Sequence, residues 1–136
     1  VSGRNKRMNL GFNNIVEETN SKGRVRVFDS TTKVPEIMSI STLVVTKPGG
    51  LTTSESLASG LPLLIINPIP GQEEENAEFL ESHNVGVWLK KKDNPDTVIQ
   101  ELFKDKNKLE KMKENTKLLA KKDSTKDICR IIMSLD

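Results

Sequence analysis

Short apolar runs alternate with longer stretches of helical period along this chain. "VRVF" (25–28), "LVVT" (43–46), "LLIIN" (63–67) and "VGVWL" (85–89) have the length and β-branched content of strands. Segments 36–41, 52–59 and 72–82 lie between them with helical spacing, and another helix is expected from about Lys6 to Glu18. Strand, helix, strand in this rhythm predicts an α/β fold, with a parallel sheet and crossover helices on both of its faces. "LVVT" and "LLIIN" are nearly all apolar, as strands covered on both faces are, and are expected in the sheet interior. Gly60 suits a helix C-cap, and Pro62 stands at the entry of a strand, where a missing N–H does least damage.

The tail from Pro95 is helical in pattern and rich in lysine. Leu109, Met112 and Leu119 recur near the 3.6 period, with Lys106, Lys111, Lys113, Lys117, Lys121 and Lys122 elsewhere. That pattern fits a solvated amphipathic helix or contact with an anionic membrane surface. Lys90, Lys91 and Lys92 read as an exposed turn after a strand. At the other end, "VSGRN" reads as a strand end, a glycine turn and a helix start. A domain would not ordinarily open there, so residues 1–136 are expected to be a piece of a longer protein.

Composition narrows the function classes. A chain of 136 residues with 35% hydrophobic content suits one core. The net charge of +2, from 21 basic and 19 acidic side chains, demands no nucleic-acid partner. One Trp and no Tyr leave few platforms for stacking bases. Cys129 has no partner for an internal disulfide, and its neighbours Ile128, Ile131 and Ile132 suggest a packed position. No apolar run approaches the roughly 20 residues that span a bilayer, and no signal peptide opens the chain, which is expected to be soluble or peripheral.

In an open parallel sheet, ligands lie beyond the carboxyl ends of the strands, where loops enter helix N-termini. "SGRN" (2–5), "KPGGLTTSE" (47–55) and "NPIPGQEEEN" (67–76) are expected at that edge. Gly49 and Gly50 let backbone approach a ligand, and the helix after them offers free N–H groups suited to phosphate. A plain strand-to-helix turn accounts for the glycines equally well, and the G-x-x-x-x-G-K-[ST] spacing of a P-loop is absent. Thr52 and Glu55 have the spacing of a capping box, yet a carboxylate there would also suit the paired hydroxyls of a ribose. Spacing alone does not choose. Gln72, Glu73 and Asn76 can project from one side of a helix start, as polyol recognition or a dipole-favoured acidic N-terminus would have it. His83, the only histidine, reads as a C-cap or surface residue, and one His with one Cys assembles neither a Ser-His-Asp set nor a Cys/His metal cluster.

"SGRN", "TKPGGLTTSESLASGLPLLI" and "PIPGQEEENAEFL" together resemble the C-terminal, nucleotide-sugar-binding half of GT-B glycosyltransferases. The likeness is to the group that holds bacterial diacylglycerol glucosyltransferases and plant monogalactosyldiacylglycerol synthases. It implies a Rossmann-like domain of an inverting, metal-independent enzyme that uses a UDP-hexose and no cofactor. Gly49, Gly50 and Thr52 would bind the diphosphate, Glu55 the ribose, and Gln72 and Glu73 the hexose with Asn76 in support. Ser30, Thr31 and Val34 would lie against the uracil. Retaining relatives carry a glutamate eight residues before the ribose glutamate, and here that position is Lys47.

The resemblance further implies a donor that is UDP-glucose or UDP-galactose and an acceptor that is diacylglycerol or a glycosylated form of it. An N-terminal domain absent from this chain would carry the acceptor site, the catalytic base and much of the membrane contact. The enzyme would be cytoplasmic and peripheral at the inner face of the cell membrane, with residues 1–136 alone inactive. The alternatives are a UDP-sugar epimerase of the same fold and a non-catalytic nucleotide-sugar-binding module.

Overall fold

A computed structural model describes residues 1–135, which fall into two units, Val1–Val34 and the part from Pro35 onward. In the first, helix α1 (Lys6–Glu18) has the expected bounds. Asn5 caps it by accepting a 3.0 Å hydrogen bond from the Met8 N–H, one of the four donors a helix start leaves unpaired. Ser2 is buried, and its N–H donates to the Phe28 carbonyl at 2.8 Å. The expected strand at 25–28 does not form. A strand needs a neighbour that exchanges hydrogen bonds along its length, and this stretch has the Ser2 contacts at its end and no ladder.

The second unit opens with helix α2 (Val34–Ile40), whose first residue belongs to the unit before it, and strand β1 (Val44–Thr46). Helix α3 (Gly50–Ala58), strand β2 (Leu63–Ile65), helix α4 (Gln72–Ser82) and strand β3 (Gly86–Trp88) follow. The sheet runs β1-β2-β3 with both pairs parallel, so each crossover passes through one helix. Central β2 is wholly buried. Leu63 and Ile65 face a cluster with Leu57, Ala77, Leu80 and Val85, and Leu64 points the other way to Leu102 and Met112. The period of two in a strand places helices on both faces, as predicted, although both crossover helices, α3 and α4, pack on the first face and the tail covers the other. "LVVT" is an edge strand rather than an interior one. It pairs with β2 alone, and Val45 is 52% exposed.

The two αβ connections are built alike. After α3, Gly60 adopts φ +68°, and the N–H groups of Gly60 and Leu61 return to the carbonyls of Leu57 and Ser56. After α4, Asn84 adopts φ +52°, and the N–H groups of Asn84 and Val85 return to Glu81 and Leu80. These are Schellman ends, and the apolar residue that closes each, Leu61 or Val85, is buried and leads straight into the next strand. His83 is the C-cap of α4, as expected.

The tail folds as α5 (Pro95–Lys104), α6 (Lys106–Leu119) and α7 (Ser124–Met133). Asn94 and Asp105 cap the first two by accepting from the N–H groups of Thr97 and Lys108. Leu109 and Met112 are buried and the lysines predicted to be solvated are exposed. Cys129 departs from expectation. It is exposed, as are Ile128, Ile131 and Ile132, because α7 buries none of its residues.

Candidate functional site

Because β1 and β2 are parallel and pair Thr46 with Ile65, the loops that leave them, 47–49 and 66–71, emerge at one edge of the sheet. Each runs into a helix, and the two helix starts differ.

Helix α3 begins two residues before the expected Thr52. Gly49 is its N-cap, with extended φ −68° and ψ 147°, and no side chain caps it. The first bond of the helix runs from the Thr53 N–H to the Gly49 carbonyl at 2.9 Å, which leaves the N–H groups of Gly49, Gly50, Leu51 and Thr52 ahead of it. The capping box of Thr52 and Glu55 therefore does not form. Thr52 sits inside the first turn, where its hydroxyl cannot act as an N-cap. Ser54 and Ser56 donate to the Gly50 and Thr52 carbonyls at 2.9 and 2.7 Å, the back-bonding usual for hydroxyls within a helix. Glu55 is exposed one turn along, and the first turn of α3 holds no acid. The start of α3 is thus glycine-lined, uncapped and positive.

Helix α4 begins at Gln72, as predicted, behind Gly71 at φ +95° and ψ −127°, a conformation open in practice to glycine alone. Its first turn carries Glu73, Glu74 and Glu75. Glu73 Oε2 accepts from the Ile69 N–H at 2.8 Å, which folds loop 66–71 back onto the helix. Its Oε1 is 3.8 Å from the place a Cβ on Gly49 would occupy, so the carboxylate lies beside the start of α3. Asn76 donates from Nδ2 to the Pro48 carbonyl at 2.9 Å. Gln72 is exposed at the same helix start. Gly49, Gly50 and Thr52 are thus brought together with Gln72, Glu73 and Asn76, and the bond that joins the two groups runs through Pro48.

Sequence reasoning missed the part played by Pro48. It is fully buried, and its carbonyl is the acceptor that ties loop 47–49 to α4. A proline directly before the glycine pair, inside the predicted segment 47–55, was the available signal. Ser30, Thr31 and Val34 belong to the first unit, where the Thr31 hydroxyl accepts from the Lys33 N–H at 3.1 Å and Val34 opens α2. Gly3 of "SGRN" has φ +61°, the predicted glycine turn.

A cavity of about 250 Å³ adjoins the start of α4, lined by Asn67, Pro68, Glu74, Trp88, Lys90 and Lys91. Lys90 lies 3.0 Å from the centre of the Trp88 ring and 3.4 Å from Glu81, and Glu81 also accepts from the Trp88 N–H. A larger cavity, about 330 Å³, opens beside Gly86 at the amino end of β3, away from these loops. Among the described residues no group of three or more His, Cys, Asp or Glu side chains is placed to hold a metal ion, and no helix is long and apolar enough to cross a membrane.

The sequence profile of the glycosyltransferase family 28 C-terminal domain matches residues 4–128. The chain belongs to this family. Known relatives agree. A processive diacylglycerol beta-glucosyltransferase of Staphylococcus carnosus is 35% identical over 135 residues, which is 99% of this chain and 34% of that protein. The enzyme of that name from Bacillus pumilus is 35% identical over 101 residues, covering 74% of this chain and 26% of its own length. The one from Bacillus subtilis is 30% identical over 116 residues, 85% of this chain and 30% of that protein. The chain therefore spans about a third or less of these relatives. The family 28 match includes both helix starts and every residue that ties them together.

Proposed function

We propose that this family 28 domain binds the donor in a glycolipid glycosyltransferase, one that moves a hexose from UDP-glucose or UDP-galactose to diacylglycerol or its glycosylated form. The observation that carries the reading is the pair of unlike helix starts at one sheet edge. Free N–H groups at Gly49, Gly50 and Thr52 suit the diphosphate, since a helix N-terminus concentrates about half a positive charge there. Exposed Glu55, one turn on, would accept from the two ribose hydroxyls. Gln72, Glu73 and Asn76 offer the amide and carboxylate groups that hydroxyls of a hexose would meet. The assignment of uracil to Ser30, Thr31 and Val34 rests on the resemblance alone.

The relatives' name supports the chemistry. A β-linked product from an α-linked nucleotide sugar requires inversion, and processive transfer requires a glycosylated lipid to serve as acceptor. The acceptor hydroxyl would attack the anomeric carbon from the face opposite UDP. One C–O bond forms, the bond to the β-phosphate oxygen breaks, and the acceptor's proton passes to a base outside this chain. The leaving UDP gains negative charge as that bond breaks, and the start of α3 is aimed where it develops. A lipid acceptor further places the enzyme at a membrane surface, which we assign to the inner face of the cell membrane.

Calorimetry with UDP on the full-length protein and its Glu55→Ala variant tests the site. A loss of roughly tenfold in affinity is expected, worth about 1.4 kcal/mol, with thermal stability nearly unchanged because Glu55 is exposed. Equal affinities would remove Glu55 from the ribose role.

A further inference from the structure

We infer that Asn76 is a positioning residue that sets the spacing between the diphosphate and hexose subsites, an inference that rests on the donor-binding reading above. Two observations carry it. Its Nδ2 donates to the Pro48 carbonyl at 2.9 Å, across 28 residues of sequence and in partly buried surroundings. Pro48 itself is fully buried and immediately precedes Gly49, the N-cap from which α3 starts. The bond therefore joins α4, one turn in from its start, to the residue that aims the first turn of α3. No other side-chain hydrogen bond among the described residues links loop 47–49 to α4.

The neighbouring contacts divide the labour. Glu73 secures loop 66–71 to its own helix through the Ile69 N–H, a bond within four residues that does not reach α3. Proline has no N–H, so loop 47–49 can be held at Pro48 only through its carbonyl or by packing. An amide at position 76 supplies the one donor that carbonyl receives. With Nδ2 engaged, the amide oxygen of Asn76 is the part of the side chain left for a ligand.

The consequence is specific to the intact donor. Of these two helices UDP needs only α3, which carries both the diphosphate-facing N–H groups and Glu55, and it should hardly sense a change in the distance to α4. UDP-glucose must satisfy α3 and α4 together, and a small error in their spacing misplaces the anomeric carbon relative to the leaving group. Loss of the bond should therefore fall on the hexose-bearing ligand and on turnover.

The test compares Asn76→Asp, which keeps the shape and removes the N–H donor, with Asn76→Gln, which keeps an amide. Affinities for UDP and for UDP-glucose are measured on the full-length enzyme by calorimetry, with kcat and KM for hexose transfer and a thermal midpoint as a check of folding. For Asn76→Asp the expected result is UDP affinity weakened no more than about threefold by the added charge, UDP-glucose affinity at least tenfold weaker, and kcat reduced more than KM is raised. Asn76→Gln should recover part of the loss. Asp and Gln variants that both match the parent in UDP-glucose affinity and kcat would overturn the inference. So would a variant that loses UDP and UDP-glucose equally, since that marks a collapsed site. If the parent binds neither ligand, the donor-binding reading fails first, and that outcome is distinct from either.

Discussion

The starts of α3 and α4 follow neighbouring parallel strands, open at the same edge and are each preceded by a glycine N-cap with no side-chain cap. Their chemistry is opposite. The first turn of α3 holds no acid, whereas that of α4 holds three. Three carboxylates stabilise α4 against its own dipole, and α3 forgoes that stabilisation. A fold under selection for stability alone would cap both helices in the same way. On the donor-binding proposal, leaving one start positive and filling the other with carboxylates would sort ligand groups, with an anion directed to α3 and hydroxyls to α4.

The largest effect should come from making the two starts alike. Gly50 is in the first turn of α3, and a Cβ there meets nothing within 4 Å, so Gly50→Asp fits without steric cost. The acid would stabilise the empty helix by about 0.3–1 kcal/mol through the dipole, and replacing a helical glycine adds a gain of similar size. A diphosphate would meet a carboxylate where it needs N–H groups. UDP affinity is expected to fall at least a hundredfold, about 2.7 kcal/mol, while the thermal midpoint rises. A variant that binds UDP normally would show that the start of α3 is no anion site.

The two N-cap glycines should also respond differently, in a smaller way. Gly71 holds φ +95° and ψ −127°, so Gly71→Ala should cost about 2 kcal/mol of stability by denaturant titration. Gly49 has φ −68°, and an added Cβ would stand in ordinary contact with Glu73. Gly49→Ala is expected to change stability by less than about 0.5 kcal/mol, yet to weaken UDP several-fold by crowding the backbone that a phosphate must approach. If both variants lose stability equally, Gly49 serves the turn and not the ligand.

Much of this arrangement was legible in the sequence. The bounds of α1 and α4, the buried run at 63–65 and the placing of two site segments at one edge all follow from local pattern. Those features are set by near neighbours: Asn5 caps its own helix, and Gly71 precedes the helix it opens. Local pattern fails where partners decide. "VRVF" has the residues of a strand and lacks a ladder, "LVVT" is as apolar as an interior strand and pairs on one side, and Cys129 lies on an apolar stripe that α7 leaves exposed. Thr52 and Glu55 had capping-box spacing, but the helix begins two residues earlier, at Gly50 behind extended Gly49, which puts Thr52 inside the first turn. The bond from Asn76 to Pro48 spans 28 residues, a separation no periodicity reports.

The smallest expected effect is the most discriminating. Glu73 holds Ile69 through one carboxylate oxygen and faces Gly49 with the other. Glu73→Gln keeps a carbonyl oxygen able to accept the Ile69 N–H and removes the charge, so loop 66–71 should stay in place. A unit charge about 8 Å from a bound phosphate is worth roughly 0.5 kcal/mol at the dielectric of water. Removing it should tighten UDP two- to threefold, with the gain shrinking as salt is raised. UDP-glucose should not share that gain, because a neutral amide is a weaker acceptor for hexose hydroxyls than a carboxylate. The two ligands should thus move apart on one substitution. Parallel changes in both would mean that the acids of α4 serve only their own helix, and that the contrast between the two starts does not sort the donor.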